Sequence, residues 1–360
     1  MSESHDLVDL CGSALERGRQ QAARRPALVQ RVRSAVHSRL EGLGAALARP
    51  EAAAFLHAQK AFLQAHDRAG FDESLGIAEG YGIAHDDLLA YLHGNVLSDM
   101  ATAASLPTDG CTAWAHANAG GALLVKNRDY RGEHGALQQV FRHSDPERGA
   151  RVLLCVGSLG SPGAFSSGIN SDGLAVADTQ IGTRDHGIGW LRYFLMTALL
   201  RECSCVADAL AFIGAVPHAG GGSLILGDAA GAVAAVELGH RQPPHIERSA
   251  SWAARTNHPL APRLAADALL ISDDLTDSSA IRLEQVCSVL SGAAGRMNLA
   301  EAMVLMAGHR DVGSICRHAR GDSSRTLSCA MYDTATRSLR ISHGHPCEAE
   351  WSQYDQGARG

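Results

Sequence analysis

The hydrophobic period of this 360-residue chain changes near residue 105, and that change limits what it can fold into more than any other feature. Before it, apolar residues recur at helical spacing: Leu28, Val32, Val36, Leu40 and Leu43 share one face of a predicted helix. Pro50 ends that run, and Glu51 starts a second helix carrying Phe55, Leu56, Phe62 and Leu63. A third opens at Asp86 and Asp87, whose carboxylates suit the positive end of a helix, and runs through Leu88, Leu89, Leu92 and Val96. The first 100 residues therefore read as mainly helical.

From Cys111 the pattern is strand and turn. Residues Cys111–Asn118 and Ala122–Asp129 form a predicted hairpin about Ala119, Gly120 and Gly121. Further strands are expected at Arg151–Val156, Gly173–Asp178, Ser223–Gly227 and Val233–Leu238, the last two joined through Asp228–Gly231. Helices intervene at Leu191–Leu200, Cys205–Ile213, Ile281–Leu290 and Leu299–Ala307. The chain closes with strands at Thr326–Tyr332 and Arg337–Ser342. Strands, then helices, then strands, without strict alternation, argue for an α+β sandwich rather than a doubly wound sheet.

Composition excludes several classes. The net charge is −6, from 32 Lys and Arg against 38 Asp and Glu, with no basic run, so no nucleic-acid partner is expected. The start, Met1 to Asp6, is acidic and polar, unlike a secretory leader, and no stretch approaches the roughly 18 apolar residues of a spanning helix. Nine scattered cysteines read as reduced thiols. Together these suggest a cytoplasmic protein without a membrane partner. Cys203 and Cys205 are too close for a zinc knuckle. His343 and His345, followed by Cys347, lack a fourth ligand nearby in sequence, so neither a metal nor a cofactor is expected.

The chemistry concentrates in Asp109-Gly110-Cys111-Thr112-Ala113-Trp114 and in Lys126-Asn127-Arg128-Asp129-Tyr130. A thiol needs a base, and a freed α-amine on the same residue can serve, since its pKa is about 7.7–8.0. A glycine before the cysteine lets the backbone take the conformation in which the thiol attacks its own preceding carbonyl. Asp129, on the second arm of the hairpin, can orient that amine or thiol. The other eight cysteines read as small buried hydrophobes. Gly220–Gly222 reads as a flexible loop that cradles no phosphate.

The Gly-Cys-Thr junction, with Asn-Arg-Asp ending 18 residues beyond the cysteine (129 − 111), resembles the acyl-coenzyme A:6-aminopenicillanic acid acyltransferase family. Those proteins are related to choloylglycine hydrolases and penicillin V acylase. The likeness extends to Glu16-Arg17-Gly18-Arg19-Gln20, Gly76-Ile77-Ala78-Glu79-Gly80, Gly168-Ile169-Asn170-Ser171-Asp172-Gly173-Leu174 and Thr256-Asn257-His258. With less weight it includes Ile315-Cys316-Arg317-His318 and Pro346-Cys347-Glu348.

The resemblance implies a four-layer αββα sandwich of the N-terminal-nucleophile hydrolase type, without a cofactor. It implies autocleavage of a zymogen between Gly110 and Cys111, with residues 1–110 as a helical small subunit that stays bound and 111–360 as the core. Cys111 would be the nucleophile, Asp129 would hold its amine, Asn257 would donate to the oxyanion, and Arg325 would support the charge network. Tyr130 and Asn170 would contact substrate. Two departures concern specificity: Lys126 stands where choloylglycine hydrolases carry Arg, and Ile225 where relatives often have Asn. The expected substrate is a small linear acyl-amide or thioester, with hydrolysis favoured. An acyltransferase using acyl-thioester donors, and an unprocessed binding protein, are the alternatives, and the oligomeric state stays open.

Overall fold

The computed structural model describes residues 7–101, 110–149, 151–269, 273–293, 295–318 and 324–356. Asp109 and Ser323 lie outside the described residues. Among those described, the strands form two sheets. The first takes β1 (Val8–Cys11), β4 (Gln138–Ser144), β5 (Leu153–Ser158), β6 (Ser167–Asn170), β7 (Ala175–Thr179), β8 (Ser223–Gly227), β9 (Val233–Glu237) and β10 (His245–Ser249), in that spatial order. The second runs β11 (Trp252–Arg255), β2 (Thr112–Asn118), β3 (Gly121–Arg131), β12 (Ser324–Asp333), β13 (Ser338–Ser342) and β14 (Trp351–Tyr354).

Alternation along the strands builds the layers, because successive side chains leave a strand on opposite faces. Ala113, Ala115 and Leu124 of the second sheet meet Val140, Leu154, Ile225 and Ala235 of the first in a core between the sheets. Their sequence neighbours point outward. Phe141, Val176, Leu226 and Val236 pack against a helical layer, whereas Trp114, Val125 and Met331 pack against another. The layer on the first sheet comprises α1 (Ala14–Arg24), α2 (Val29–Gly42), α3 (Gly44–Leu47), α4 (Pro50–His66), α5 (Arg68–Tyr81), α6 (His85–Leu92), α7 (Gly94–Ala101), α8 (Arg192–Glu202) and α9 (Val206–Ala215). After the short α10 (Pro262–Ala265), α11 (Asp273–Gly292) and α12 (Leu299–Met306) cover the second sheet through Val286, Leu290, Leu305 and Met306. The protein is thus a four-layer αββα sandwich, as the resemblance implied. Among the described residues, all but one of the strand pairs run antiparallel, the exception being β1 beside β4.

Several local expectations change. The N-terminal segment is not purely helical, since β1 extends the first sheet through Val8↔Phe141 and Leu10↔His143. Pro50 does not end a helix but opens α4, where its missing N–H costs nothing. The predicted third helix breaks at His93, whose Nδ1 lies 2.7 Å from the Leu89 carbonyl. Gly220–Gly222 is no flexible loop. All three glycines are buried at φ near +80°, and a Cβ on Gly220 would overlap the Asp185 carbonyl. Arg192 Nη1 donates to the Gly221 carbonyl at 3.2 Å, fixing this stretch ahead of β8.

Two motifs of the resemblance turn out to be one helix crossing. A Cβ on Gly18 of α1 would overlap the Glu73 carbonyl, and one on Gly76 of α5 would overlap that of Leu15. Glycine at both positions lets the two backbones touch, and Arg19 and Glu79 bridge the exposed rim at 2.6 Å. This crossing anchors the helical layer.

Candidate active site

Strand register alone brings the central residues together. Thr112 pairs with Asn127, Arg255 with Ala113, and Thr326 with Asp129. One step beyond the end of β2 therefore sets Cys111 between Asn257, just past β11, and Asp129 on β3, with Thr326 of β12 alongside. A register shift between Thr326 and Ser328 locally distorts the β3–β12 ladder beside this point.

Cys111 is buried, and its thiol donates to the Asp129 carbonyl at 3.5 Å. The Asp129 carboxylate is also buried. Its Oδ1 accepts from Thr326 Oγ1 at 2.6 Å, while Oδ2 has no hydrogen-bond partner among the described residues. That free oxygen lies 3.0 Å from where a Cβ on Gly110 would stand, with Arg317 Nη1 3.2 Å from the same point. Glycine at 110 thus leaves the junction open to a carboxylate on one side and a guanidinium on the other. Burial pushes the Asp129 carboxyl up to about 6, against the pull of Arg282, Thr326, Arg317 and Lys126.

Arg282 ties the arrangement from α11. Its Nη1 donates to the Cys111 carbonyl at 2.7 Å and to Thr112 Oγ1 at 2.9 Å, and its Nη2 donates to Asn257 Oδ1 at 3.0 Å. Burial draws this guanidinium below its ordinary value, which Asp129 and Cys111 partly offset. One helical turn earlier, Ser279 Oγ accepts the Asn257 backbone N–H at 2.8 Å. Asn257 Nδ2 donates to the Gln180 carbonyl at 3.0 Å, tying the residue to the end of the first sheet. The Asn257 side chain is thereby held from the end of the first sheet and from α11.

A second buried charge group stands behind the thiol. Asp178 of β7 accepts from Lys126 Nζ, and from Arg192 Nε at 2.5 Å. Burial acts to raise Asp178, but Lys126 and Arg192 outweigh it and hold the carboxyl below its usual range. Cys111 in turn acts on Arg192 electrostatically.

Not every residue named from sequence reaches this point. Asn170 closes the far end of β6, opposite the end where Thr179 accompanies Thr256. Its Nδ2 donates to the carbonyls of Leu200 and Cys203, and its Oδ1 accepts from the backbone of Asp172 and Leu174. These bonds tie its amide into the turn. Arg325 pairs across the strands with Tyr130 and donates weakly to the Gly132 carbonyl at 3.4 Å. Its neighbour Thr326, rather than Arg325, bonds Asp129. Tyr130 lies against His134 and under the Arg128 guanidinium, at 4.5 and 5.2 Å between centres.

Sequence reasoning missed Arg282 and Ser279 and gave no role to Arg317 or Thr326. A signal did exist for Arg282. Ser279, Arg282, Val286 and Leu290 repeat at helical spacing and are all buried, so a guanidinium interrupts an apolar stripe. The reading of the remaining cysteines also needs correction. Cys155, Cys203, Cys316 and Cys329 are buried, Cys205 and Cys287 half-buried, and Cys11 and Cys347 exposed. Nor does Cys347 lack company, since the fold sets it against Cys316, His318 and His309.

The sequence profile of the acyl-coenzyme A:6-aminopenicillanic acid acyl-transferase family matches residues 116–348, and the chain belongs to that family. The span includes Asp129, Asn257, Arg282 and Arg317 and begins five residues past Cys111 (116 − 111). The family is described by an acyl-transferase activity, so membership relates the chain to enzymes of acyl transfer.

Among solved structures, the chain is similar to two single-site variants of the conjugated bile acid hydrolase of Clostridium perfringens. One, a mutant in which an alanine replaces a cysteine, is 12% identical, with a TM-score of 0.45 over 68% of this chain and 96% of that one. The other, in which a leucine replaces an arginine, is 13% identical, with a TM-score of 0.46 over 68% and 97%. Penicillin V acylase from Agrobacterium tumefaciens is 12% identical, with a TM-score of 0.40 over 70% and 80%. Comparison with curated proteins gives no match. Among the described residues, no helix is long and apolar enough to cross a membrane.

Proposed function

We propose that the chain is the precursor of a cysteine N-terminal-nucleophile enzyme that cuts its own Gly110–Cys111 bond. The observation that carries the reading is the free Oδ2 of buried Asp129, facing Gly110 beside the Cys111 thiol. In the first step Cys111 Sγ attacks the Gly110 carbonyl carbon, the C–N bond breaks, and the Cys111 nitrogen takes up a proton. Asp129, with its carboxyl near neutrality, is placed to exchange that proton. Water then hydrolyses the Gly110 thioester, releasing the Gly110 carboxylate and restoring the Cys111 thiol, now on a residue that carries an α-amine.

In turnover the amine takes the thiol proton as Sγ attacks the acyl carbon of a linear amide or thioester, then hands it to the leaving group. Asn257 has two amide hydrogens, one of which bonds Gln180, so the second can meet the oxyanion. Arg282 donates to the oxygen side of that amide, which fixes which side carries the hydrogens. Water or an amine then accepts the acyl group from Cys111. Hydrolysis is the favoured outcome, and transfer to an amine is the second reading, which the family's description supports.

The two pieces would stay together. Helices α1 to α7 share one apolar cluster with the first sheet, and β1 hydrogen-bonds to β4. Intact mass of the purified protein tests the reading. Two co-purifying fragments are expected, the larger beginning at Cys111. A chain that remains at 37.8 kDa while hydrolysing an amide would overturn the mechanism. Adding an amine to the assay and comparing free acid with new amide separates hydrolysis from transfer.

A further inference from the structure

At one edge of the second sheet, His309, Cys316, His318 and Cys347 bring one ligand atom each to within 4.8 Å of one another. His309 and Cys316 stand on a turn after α12, closed by the N–H groups of Ile315 and Cys316 donating to the Gly308 carbonyl. Cys347 stands on the turn between β13 and β14, closed by Glu348 and Ala349 donating to the His345 carbonyl. Two separately fixed turns therefore present the set, with the two cysteines 31 positions apart in sequence.

The spacing of the ligand atoms is informative. The two sulfurs are 3.6 Å apart, and His318 Nε2 is 3.7 Å from Cys316 Sγ and 3.2 Å from Cys347 Sγ. A disulfide needs about 2.05 Å between sulfurs. A tetrahedral zinc, with Zn–S of about 2.3 Å and Zn–N of about 2.0–2.1 Å, separates its ligand atoms by about 3.3–3.8 Å. Thiols are weak hydrogen-bond donors and so give little reason for two of them to converge on one imidazole nitrogen. The His318 ring is also held, stacked 3.8 Å from that of His345. Three of the four side chains are exposed, so an ion has a path in.

We infer that His309, Cys316, His318 and Cys347 form a structural zinc site of the Cys2His2 type. Two thiolates and two neutral imidazoles balance the ion's charge, and thiolate with imidazole selects zinc over magnesium or calcium. All four positions are filled by protein, as in a structural rather than a catalytic site. Its place in the molecule gives it a task. Arg317 lies between two of the ligands, accepts the Thr326 N–H at its carbonyl, donates its own N–H to Thr326 Oγ1, and extends to the Gly110 junction, while Thr326 bonds Asp129. An ion clamping Cys316 and His318 to Cys347 would hold Arg317 beside the proposed scissile bond.

The test reads metal content and a cobalt spectrum from the full chain, purified without chelator after growth with zinc. One zinc per chain is expected, in the unsubstituted protein and equally in Cys111→Ala, so the site and the cleavage mechanism can fail independently. Exchange with Co2+ should give thiolate-to-cobalt charge-transfer bands and the intense visible bands of tetrahedral cobalt. The exposed ligands allow mild variants. Cys347→Ser and His309→Ala should each weaken zinc binding by more than the about 10–100-fold that loss of an outer partner costs. Cys287→Ser, a thiol outside the cluster, should retain full occupancy. Three results would overturn the inference: a full-length chain that takes up neither ion, a Cys316–Cys347 disulfide in unreduced peptide maps, or unchanged occupancy in both ligand variants.

Discussion

The crossing of α1 with α5 and the end of the sheet at Cys111 both carry motifs of the same family, yet they use them in opposite ways. At the crossing, Gly18 and Gly76 matter for what they lack, since any Cβ would meet a backbone carbonyl of the other helix. At the sheet end, Cys111, Asp129, Asn257 and Arg282 are polar groups in a buried place, held by hydrogen bonds to one another and to Thr326, with one carboxylate oxygen lacking a partner among the described residues. A motif is therefore no guide to chemistry by itself. The packing motif should respond to volume and the site motif to functional groups, and substitutions can separate the two.

The largest effect is expected at the thiol. Cys111→Ala should give a single uncut chain without amide turnover while keeping its thermal midpoint, and normal cleavage in this variant would remove the autocatalytic proposal. Next, Asn257→Ala should lower kcat by about 10²–10³, the range for loss of one oxyanion donor, once the protein is processed. A rise in KM with kcat unchanged would assign Asn257 a different task.

At the crossing, Gly18→Ala should destabilise the fold by about 1–3 kcal/mol, as overpacking does, measured by urea unfolding. Activity per folded molecule should not change, and a selective loss of turnover would blur the contrast between the regions. Its counterpart is Gly214 near the end of α9, where a Cβ meets nothing within 4 Å. Gly214→Ala should raise stability by about 0.4–1 kcal/mol, because only the unfolded chain loses freedom.

Asp129 offers the subtlest test, through pH. Its carboxyl sits at about 6 in the fold, against 3.8 ordinarily. Between those values the folded chain keeps a proton that the unfolded chain has released. This contribution to stability is therefore complete below pH 3.8 and lost as pH rises through 6. Unfolding measured across that window should slope downward in the precursor, and Asp129→Asn should flatten the slope. An identical slope in the variant would show that Asp129 titrates normally.

Much of the frame was legible in the chain. The switch from helical to strand period near residue 105 marked the boundary between one helical layer and the hairpin that starts the second sheet. The Gly110–Cys111 step and Asp129 stood out because a glycine before a thiol and an acid at hairpin distance are local patterns, and Asn257 stood out through the family resemblance. Short strands such as β1, β6 and β11 were not, since each owes its conformation to neighbours rather than to its own alternation.

By itself, then, the sequence determined the alternation that makes two sheets with an apolar layer between them, and the residue types at the proposed nucleophile. Only the tertiary structure decided that Arg282 and Arg317, more than 150 residues beyond Cys111, turn inward to meet it, and that Arg325 and Asn170 do not. It also decided that two thiols and two imidazoles from separate turns share one point. The physical reason is the same in each case. Periodicity reports which face of an element is buried, whereas the partner of a buried polar group is set by how faces from distant elements come into register.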